Sequence, residues 1–411
     1  MWLENVYDIF HERGFIEQVT DDRLLRELVN SPVSCYIGFD PTAKSLHVGS
    51  LLPIMSLAHM QRQGHRPIAV VGGGTALVGD PSGKDEARPV MTRQEIDANA
   101  EGIKKQLSRF IDFREGKALM VNNADWLTPL NYIEFLRDVG RHFSVNRMLA
   151  AESYRQRLET GLSFLEFNYM LLQAYDFWYL FKHYDCILQM GGNDQWGNIL
   201  AGVDLTRRLE GMVIHGLTFP LITTADNQKM GKTHRGAIWL DPELTSPYEY
   251  YQYWINTDDR DTKRFLCCFT FLPVEEIEEL CGSKDIRKAK EILAYETTRI
   301  CHGQKEADRA KTLSEQLFGS AGGADLDGIP TYSLSLEELG DGIEAYILFQ
   351  NASLCKTRGQ ARRLISQGGG YVNGERIPSF ETIIGPDYLR DNAILLRAGK
   401  KKYCRVQIQD S

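Results

Sequence analysis

Residues 36–50 read Tyr-Ile-Gly-Phe-Asp-Pro-Thr-Ala-Lys-Ser-Leu-His-Val-Gly-Ser, and this stretch decides the predicted fold. It opens inside an apolar run, Val33 to Phe39, that is typical of a buried strand. Pro41 ends the strand because proline lacks a backbone donor, and apolar residues from Leu46 onward predict a helix. A strand that feeds a helix N-terminus predicts a phosphate or nucleotide site. From these residues alone, an ordinary strand–helix turn with a surface His47 is an equally good interpretation.

Length and composition indicate a soluble globular protein of more than one domain. The chain has 411 residues, of which 43% are hydrophobic and 25% are charged. We expect no signal peptide, because the N-terminus lacks a basic start, and no membrane segment, because no apolar run approaches the roughly 20 residues that cross a bilayer. The eight cysteines are scattered without metal-ligand spacing, which predicts reduced thiols in a cytoplasmic protein and no metal site.

Charge is distributed unevenly along the chain. Residues 342–411 contain 11 Lys and Arg against 6 Asp and Glu, whereas the residues before them contain 36 against 49. An acidic body with a basic C-terminal region predicts that contact with a polyanion is confined to that region.

Two further strand patterns end in glycine-rich, polar loops. A predicted strand from Pro67 to Gly72 precedes Gly79-Asp-Pro-Ser-Gly-Lys84, and one from Cys186 to Met190 precedes Gly191-Gly-Asn-Asp-Gln195. Each glycine run alone is also what a sharp strand–helix turn requires. Strands that alternate with helices and end in such loops predict an α/β fold with a Rossmann-type, doubly wound parallel sheet.

A predicted helix that opens at the capping box Ser163-Phe-Leu-Glu166 carries Tyr169, Gln173 and Asp176. Their spacing of four and three residues places a phenol, an amide and a carboxylate on one helix face. Because apolar residues flank them, we favour a buried polar site over a solvated stripe of an amphipathic helix.

The loop Lys229-Met-Gly-Lys-Thr233 follows the last predicted strand, Leu217 to Ile222. Two lysines on a short, glycine-containing loop suit a mobile clamp on phosphate oxygens. Lysines on loops are more commonly just solvated, so this pattern is weak by itself.

The patterns divide the chain into four parts. Residues 1–245 form the predicted Rossmann-type catalytic domain, 246–318 an all-α domain, 319–341 a flexible linker, and 342–411 a small α+β domain. Basic residues on or beside one helix of the last domain are candidate RNA contacts. They are Lys356, Arg358, Arg362 and Arg363.

In order and spacing, these motifs resemble those of the bacterial tyrosyl-tRNA synthetases, which are class I aminoacyl-tRNA synthetases. His47-Val-Gly-Ser50 and the Lys229–Thr233 loop resemble the two nucleotide motifs of that class. The resemblance covers the whole chain, and residues 342–411 are similar to the small RNA-binding domain that these enzymes share with a ribosomal small-subunit protein. The other matching motifs are Phe39-Asp-Pro-Thr-Ala43, Gly79–Lys84, Tyr169…Gln173…Asp176 and Gly191–Gln195.

The resemblance implies activation of L-tyrosine with ATP to tyrosyl-adenylate, and transfer of the tyrosyl group to the 3′-terminal adenosine of tRNA(Tyr) with release of AMP and pyrophosphate. It also implies Mg²⁺ with ATP but no tightly bound cofactor, and a cytoplasmic homodimer without membrane contact. The tyrosine carboxylate is itself a nucleophile, so positioning and charge stabilisation at the phosphates suffice for catalysis. The dimer interface is placed only as a guess, around residues 125–150.

The resemblance assigns roles to individual residues. Tyr36 and Asp176 resemble the pair that binds the substrate phenol, and Thr42 and His47 resemble contacts to the γ-phosphate of ATP. The tyrosine-binding set is Tyr36, Asp80, Tyr169, Gln173, Asp176 and Gln195. The ATP-binding set is Asp40, His47, Gly49, Ser50, Gly192, Asp194 and Lys232. The catalytic set is Thr42, His47, Lys84, Arg88, Lys229, Lys232 and Thr233.

Two positions depart from the family pattern. Ser50 stands where the first motif usually has histidine or sometimes asparagine, and Ile37 replaces a common cysteine. Because a serine side chain is shorter, a direct contact from Ser50 to the ATP ribose is in doubt, and a water molecule can bridge it.

Two other functions stay open at the level of sequence. A paralogue that has lost aminoacylation and only binds RNA is supported by Ser50 alone and opposed by the intact pair Tyr36 and Asp176. A tryptophan-specific synthetase of the same fold is disfavoured, because an indole has no use for a paired donor and acceptor that match a phenol.

Overall fold

A computed structural model gives the fold of this protein. It describes residues 5–82, 91–233, 236–283, 285–318, 330–390, 392–399 and 402–409, with only the backbone at residues 156, 159, 160, 232, 233, 317 and 318. The chain divides into two compact units, Met1–Thr245 with Tyr253–Gln304 and Ser246–Gln252 with Lys305–Ser411. The domain boundaries expected at 245 and 318 stay predictions.

A six-stranded sheet forms the centre of the first unit. Its strand order is β1-β6-β5-β2-β3-β4, in which β1 is antiparallel to β6 and every other neighbouring pair is parallel. This arrangement confirms the predicted α/β fold with a doubly wound sheet. The strands are β1 (Gln18–Val19), β2 (Ser34–Phe39), β3 (Arg66–Val71), β4 (Leu119–Asn122), β5 (Cys186–Gly192) and β6 (His215–Phe219).

The direction in which the sheet grows changes at β2, which has β3 on one side and β5 on the other. Tyr36 in β2 lies opposite Ile68 in β3 and Gln189 in β5. From β2 the chain builds β3 and β4 on one side, and it later adds β5 and β6 on the other. Ligands bind in the crevice at the carboxyl ends of the two strands where this change occurs, so the loops after Phe39 and Gly192 mark the candidate site.

Helices pack against this sheet and complete the first unit. α3 contacts β2, β3 and β5, whereas α10 and α11 contact each other and β5. In the part of the chain that the structure describes, no helix is long and apolar enough to cross a membrane. The helices are α1 (Val6–Glu12), α2 (Asp22–Leu28), α3 (Leu51–Arg62), α4 (Arg93–Leu107), α5 (Ala124–Leu127), α6 (Tyr132–Asp138), α7 (Val145–Leu149), α8 (Glu152–Thr160), α9 (Phe164–Phe167), α10 (Tyr169–Tyr184) and α11 (Trp196–Glu210).

Between β6 and Ser246 the described residues form turns and the short antiparallel pair β7 (Lys232–Thr233) and β8 (Gly236–Ala237). From Pro247 to Phe318 the described elements are helices, as predicted for residues 246–318. The first of these helices begins at Pro247 after a capping box, in which Glu249 accepts from the backbone N–H and the hydroxyl of Ser246. These helices are α12 (Pro247–Ile255), α13 (Asp259–Phe269), α14 (Val274–Gly282), α15 (Ile286–His302) and α16 (Gln304–Phe318).

Two elements of the first unit differ from prediction for identifiable reasons. The helix expected from Ser163 onward is split into α9 and α10, because the Met170 backbone N–H donates to the Tyr154 hydroxyl (3.1 Å) and the Asn168 amide donates to the carbonyl of Phe164 (2.6 Å). The last strand ends at Phe219 and not at Ile222, since Pro220 has no N–H to continue the ladder.

The second unit contains a five-stranded sheet of order β12-β11-β14-β15-β9, in which only β9 and β15 are parallel. Its core includes Phe349 and Ile394, and α18 packs against α19. The strands are β9 (Thr331–Ser335), β10 (Ile343–Glu344), β11 (Gly370–Val372), β12 (Glu375–Arg376), β13 (Ile383–Ile384), β14 (Ala393–Ala398) and β15 (Lys402–Gln409). The helices are α17 (Leu336–Leu339), α18 (Ala345–Asn351) and α19 (Arg358–Ser366).

The linker expected over 319–341 is shorter than predicted at its C-terminal end. Residues 319–329 lie outside the described residues, but Thr331–Ser335 form β9, paired with β15. Leu334 is buried in the core of the second unit, and a capping box between Ser335 and Glu338 begins α17. Burial of Leu334 and the parallel ladder therefore order a segment whose small and polar neighbours predict a loop.

Candidate active site

Tyr36 and Asp176, which are both buried in the first unit, define the candidate ligand pocket. Tyr36 is 2% exposed, its ring lies 5.3 Å from that of Phe177, and its hydroxyl is buried without a hydrogen-bond partner. Asp176, on α10, is 4% exposed and accepts from Asn123 Nδ2 (2.9 Å) and Trp126 Nε1 (2.7 Å). The structure thus holds the carboxylate from two sides while it leaves the phenol of Tyr36 unpaired.

Burial controls the ionisation of both groups. It raises the pKa of Asp176 to about 7, against the lowering effect of the hydrogen bonds from Asn123 and Trp126. Burial, and next the charge of Asp176, raise the pKa of Tyr36 well above its usual range. A ligand hydroxyl placed between them can donate to the carboxylate and accept from the phenol, and a ligand without one leaves both unpaired at a cost of about 1–3 kcal/mol for each group.

Asn123 also connects this pocket to the loop after β2. Its amide donates to the Thr75 hydroxyl (3.0 Å), and that hydroxyl donates to Asp40 Oδ1 (3.3 Å). The Asn123 side-chain oxygen accepts from the backbone N–H of Gly74 (2.7 Å), which fixes the orientation of the amide. A continuous chain of hydrogen bonds therefore links Asp176 to Asp40.

A second polar group surrounds Asp80 in the loop after β3. Asp80 accepts from the Ser82 backbone N–H (2.9 Å) and from Gln195 Nε2 (2.8 Å). Asn198 Nδ2 lies within hydrogen-bond distance of Gln173 Oε1 (3.0 Å) and Gln195 Oε1 (3.2 Å). Burial, and next the charge of Asp40, raise the pKa of Asp80 to about 6. The cluster presents one carboxylate among amides, which suits a ligand ammonium. Tyr169, at the start of α10, is buried.

The loop that ends in residues 47–50 packs against the Lys229 loop. His47 Nδ1 accepts from the Gly49 backbone N–H (3.0 Å), which places the ring proton on Nε2 and makes that atom a donor. A side chain at Gly49 would meet the His47 ring at 2.6 Å and the Met230 carbonyl at 3.2 Å. Glycine is therefore required here by contact with the protein itself, in addition to any ligand.

The chain that follows the Lys229 loop pairs through its backbone with residues 46–48. The Val48 backbone N–H donates to the Ile238 carbonyl (2.9 Å), and the Leu240 N–H donates to the Leu46 carbonyl (2.9 Å). The ring of Trp239 lies 6.1 Å from that of His47 in an edge-on arrangement. The first predicted nucleotide motif is thus paired through its backbone with residues 238–240, and the Ile238 N–H donates to the Gly231 carbonyl of the second motif (3.0 Å).

Several predicted residues lie on the open side of this crevice. Thr42 and Asp194 are exposed, and an added Cβ at Gly192 would lie 2.5 Å from Asp194 Oδ1. Ser50 donates its backbone N–H to the His47 carbonyl (2.8 Å), and its side chain makes no capping bond to α3.

The structure does not describe every predicted site residue. Lys84 and Arg88 lie outside the described residues. Lys229 is exposed, and Lys232 and Thr233 have only their backbone described, in β7. The four predicted RNA contacts lie in the second unit.

Four residues of the site escaped the sequence analysis. Asn123 directly follows β4, and Trp126 lies in α5 just beyond it. A polar residue at the carboxyl end of a predicted strand is the signal that could have identified Asn123. Asn198 is three residues after Gln195, one helical turn away, and could have been found by the same face argument used for α10. Thr75 carries no such signal, because its partners are far away in the sequence.

Comparison with known proteins identifies the family. Residues 28–319 match the family model described as tRNA synthetases class I (W and Y), and residues 324–406 match the tyrosine–tRNA ligase SYY-like C-terminal domain. The chain belongs to the class I tRNA synthetases of the tryptophan and tyrosine group. This membership confirms the resemblance and the fold class that the sequence motifs predicted.

The synthetase is similar over its whole length to bacterial proteins. It is 56% identical over 428 residues to the tyrosine–tRNA ligase of Syntrophus aciditrophicus, with 100% of each chain covered. It is 58% identical to that of Desulfosudis oleivorans, with 98% of this chain and 99% of the other covered. Among solved structures, it is similar to a C-terminally truncated mitochondrial tyrosyl-tRNA synthetase from Aspergillus nidulans, with a TM-score of 0.69 and 33% identity over 77% of this chain and 94% of the other.

Proposed function

We propose that this synthetase is a tyrosine–tRNA ligase that uses ATP to activate L-tyrosine and then charges tRNA(Tyr). The observation that carries the proposal is the pairing of the buried, unpartnered Tyr36 hydroxyl with an Asp176 carboxylate that Asn123 and Trp126 hold in place. A phenol is the side chain that satisfies both groups at once. An indole ring would leave the Tyr36 hydroxyl without an oxygen partner, so the same observation disfavours tryptophan.

The remaining tyrosine contacts follow from the cluster around Asp80. In this proposal Asp80, Tyr169 and Gln173 hold the substrate ammonium, and Gln195 orients the carboxylate. The neighbouring Asn198 supports both amides through its contacts with Gln173 and Gln195. The α-carboxylate then faces the crevice at the ends of β2 and β5.

The chemistry needs positioning and charge stabilisation. The tyrosine carboxylate oxygen forms a bond to the α-phosphorus of ATP, the bond to the bridging oxygen breaks, and pyrophosphate leaves with its charge. His47 Nε2–H and the Thr42 hydroxyl are donors for the γ-phosphate, while Asp40, Gly192 and Asp194 contact the adenosine. Lys84, Arg88, Lys229, Lys232 and Thr233 complete the proposed clamp on the leaving group.

Mg²⁺ enters this proposal as part of the ATP substrate. Among the described residues, no group of three or more His, Cys, Asp or Glu side chains is arranged to hold a metal ion. Mg²⁺ that keeps several waters and binds phosphate oxygens needs no such cage. Phosphates and water are therefore its proposed ligands.

The second unit supplies the proposed contact with tRNA. Lys356, Arg358, Arg362 and Arg363 are all exposed at or beside α19. The Arg362 guanidinium also lies 4.1 Å from the centre of the Tyr346 ring and 5.7 Å from that of Phe380. Arg358 and Arg363 are thus better placed for phosphates than Arg362, which is engaged within its own unit.

The proposal includes a homodimer and a cytoplasmic location. Exposed apolar side chains cluster in sequence within and just beyond the predicted interface of residues 125–150, led by Ile133 (69% exposed) and Phe164 (70%). A monomer rarely leaves several large apolar side chains so exposed, and a second copy of the chain would cover them. All eight cysteines are free, which suits a reducing cytoplasm.

The test is exchange of labelled pyrophosphate into ATP that depends on the amino acid. Tyrosine is expected to support exchange and tyrosyl-tRNA formation, and tryptophan to support neither. Asp176→Ala should abolish tyrosine-dependent exchange, whereas Asp125→Ala, a change of the same charge outside the pocket, should leave it intact. A folded protein without exchange would favour the RNA-binding paralogue, and exchange with tryptophan would favour the tryptophan enzyme.

A further inference from the structure

A basic cleft lies in the first unit, apart from the catalytic crevice. It encloses about 420 Å³ and is lined by Arg62, Arg109 and Arg299, together with Phe110, Phe271 and Glu296. Three arginines against one glutamate give the lining a net positive charge in a part of the chain that is acidic as a whole. Neither the family motifs nor the proposed catalytic mechanism uses any of these residues.

Two of the three arginines have no acidic partner. The Arg62 guanidinium lies 4.4 Å from the centre of the Phe271 ring, and Arg109 Nη1 donates to the Cys301 carbonyl (2.8 Å) and lies 3.3 Å from His302 Nδ1. Within the described part of the chain, neither forms an ion pair. Only Arg299 is neutralised, by Glu296 at 2.5 Å.

The positive charge of the arginines also lowers the pKa of two histidines near the cleft. Burial, and next the charge of Arg109, lower the pKa of His302 to about 3. Burial, and next the charges of Arg13 and Arg62, lower the pKa of His59 to about 3. Both rings are therefore neutral at physiological pH, and the charge of the cleft rests on its arginines.

The cleft is well separated from the proposed ATP site. Helix α3 begins at Leu51, next to the His47 loop, and ends at Arg62, which lines the cleft. Its 12 residues rise about 18 Å. Arg66 starts β3 just beyond it, so the cleft lies near the amino ends of the parallel strands, away from the catalytic edge.

We propose that this cleft binds a free nucleotide. Arginine guanidinium groups fit phosphate oxygens with two parallel hydrogen bonds. The Arg62 guanidinium already lies over the Phe271 ring, and the ring of Phe110 in the lining is the one that suits a planar base. The volume lies in the usual range of small-molecule sites, roughly 300–1,000 Å³. A nucleic-acid strand would need basic residues that continue beyond the cleft, and the acidic balance of the residues before 342 argues against that.

Fluorescence anisotropy with mant-GDP, a fluorescent guanosine diphosphate, tests the proposal. The catalytic site is first saturated with a non-hydrolysable tyrosyl-adenylate analogue, so that any binding reports another site. We expect saturable binding that unlabelled GDP and inorganic phosphate compete. The double variant Arg62→Ser/Arg109→Ser should weaken binding about 100-fold or more, because each arginine that is removed takes away at least one hydrogen bond to a charged group.

Two controls separate the cleft from general charge and from unfolding. Arg66→Ser/Lys105→Ser removes the same charge at exposed positions outside the cleft and should leave binding unchanged. Arg62→Ser alone keeps the bond from Arg109 to Cys301 and should still weaken binding. Pyrophosphate exchange should stay at the wild-type rate in every variant. Absence of saturable binding, equal loss in the control, or binding of single-stranded RNA without GDP binding would overturn the proposal.

Discussion

Asn123 donates a hydrogen bond of 2.9 Å to Asp176, and these two residues are 53 positions apart in the chain. The bond fixes the orientation of the buried carboxylate that we propose binds the tyrosine hydroxyl. Because the same amide also donates to Thr75, Asn123 sits at the junction between the proposed tyrosine pocket and Asp40.

Asn123→Ala should weaken tyrosine binding about 10- to 100-fold, because a buried carboxylate that loses a donor is costly to keep ionised. Equilibrium dialysis with labelled tyrosine measures the effect. Asn351→Ala, an exposed asparagine in the second unit, is the matched control and should bind tyrosine normally. Wild-type affinity in Asn123→Ala would mean that Trp126 alone positions Asp176.

Thr75→Val should slow tyrosyl-adenylate formation more than it weakens tyrosine binding. The substitution keeps the shape of the side chain but removes the hydroxyl that joins Asn123 to Asp40, at a cost of about 1 kcal/mol for each lost bond. Rapid-quench measurement of adenylate formation over a series of tyrosine concentrations gives both the rate at saturation and the dissociation constant of tyrosine. Thr75→Ser should restore the rate, and a serine variant as slow as the valine variant would contradict the role of the hydroxyl.

Thr42→Ala and His47→Ala should each slow adenylate formation by roughly 10- to 1,000-fold and leave the dissociation constant of tyrosine nearly unchanged. The reason is that contacts to the phosphates strengthen as charge develops in the transition state. Pre-steady-state kinetics of adenylate formation measure the rate. Lys44→Ala, also exposed in this loop, serves as the control. Parallel losses of rate and tyrosine affinity would show that these residues act on the ground state.

The contribution of Asp176 to the stability of the unliganded protein should fall as pH rises from about 4 to about 7. The pKa of Asp176 is about 7 in the folded state, and that of an unfolded aspartate is about 4, so the folded state binds the extra proton in this window. Thermal unfolding at a series of pH values measures the effect. Asp176→Asn, which cannot ionise, should become more stable relative to wild type as pH rises through this window, and a constant difference between the two proteins would contradict the raised pKa.

Local patterns predicted the frame of the molecule well. The apolar run from Val33 to Phe39 contains β2 (Ser34–Phe39), and the capping box at Ser163 and Glu166 begins α9, because both signals lie within a few neighbouring residues. The candidate catalytic motifs could be recognised because each is a short segment with a distinctive composition. Their positions at the ends of β2 and β5 then follow from the topology of the sheet.

Contacts between distant segments were beyond the same reasoning. Nothing near Asn123 in the sequence indicates that it supports Asp176, and nothing near Met170 indicates that the Tyr154 hydroxyl interrupts the helix there. Gly49 was assigned to ATP binding from its motif, and the sequence does not show that a side chain there would meet the His47 ring and the Met230 carbonyl. Such features depend on tertiary packing, which a single sequence does not display.

The most direct test of the central claim is the ratio of kcat/KM for tyrosine to that for phenylalanine in pyrophosphate exchange. In Tyr36→Phe the substrate hydroxyl loses one buried partner, so the ratio should fall by about 10-fold or more, while activity with phenylalanine stays the same or rises. Tyr184→Phe is the control. It removes a hydroxyl at the end of α10, the helix that carries Asp176, and should keep the wild-type ratio. An unchanged ratio in Tyr36→Phe would contradict the claim that this hydroxyl selects tyrosine.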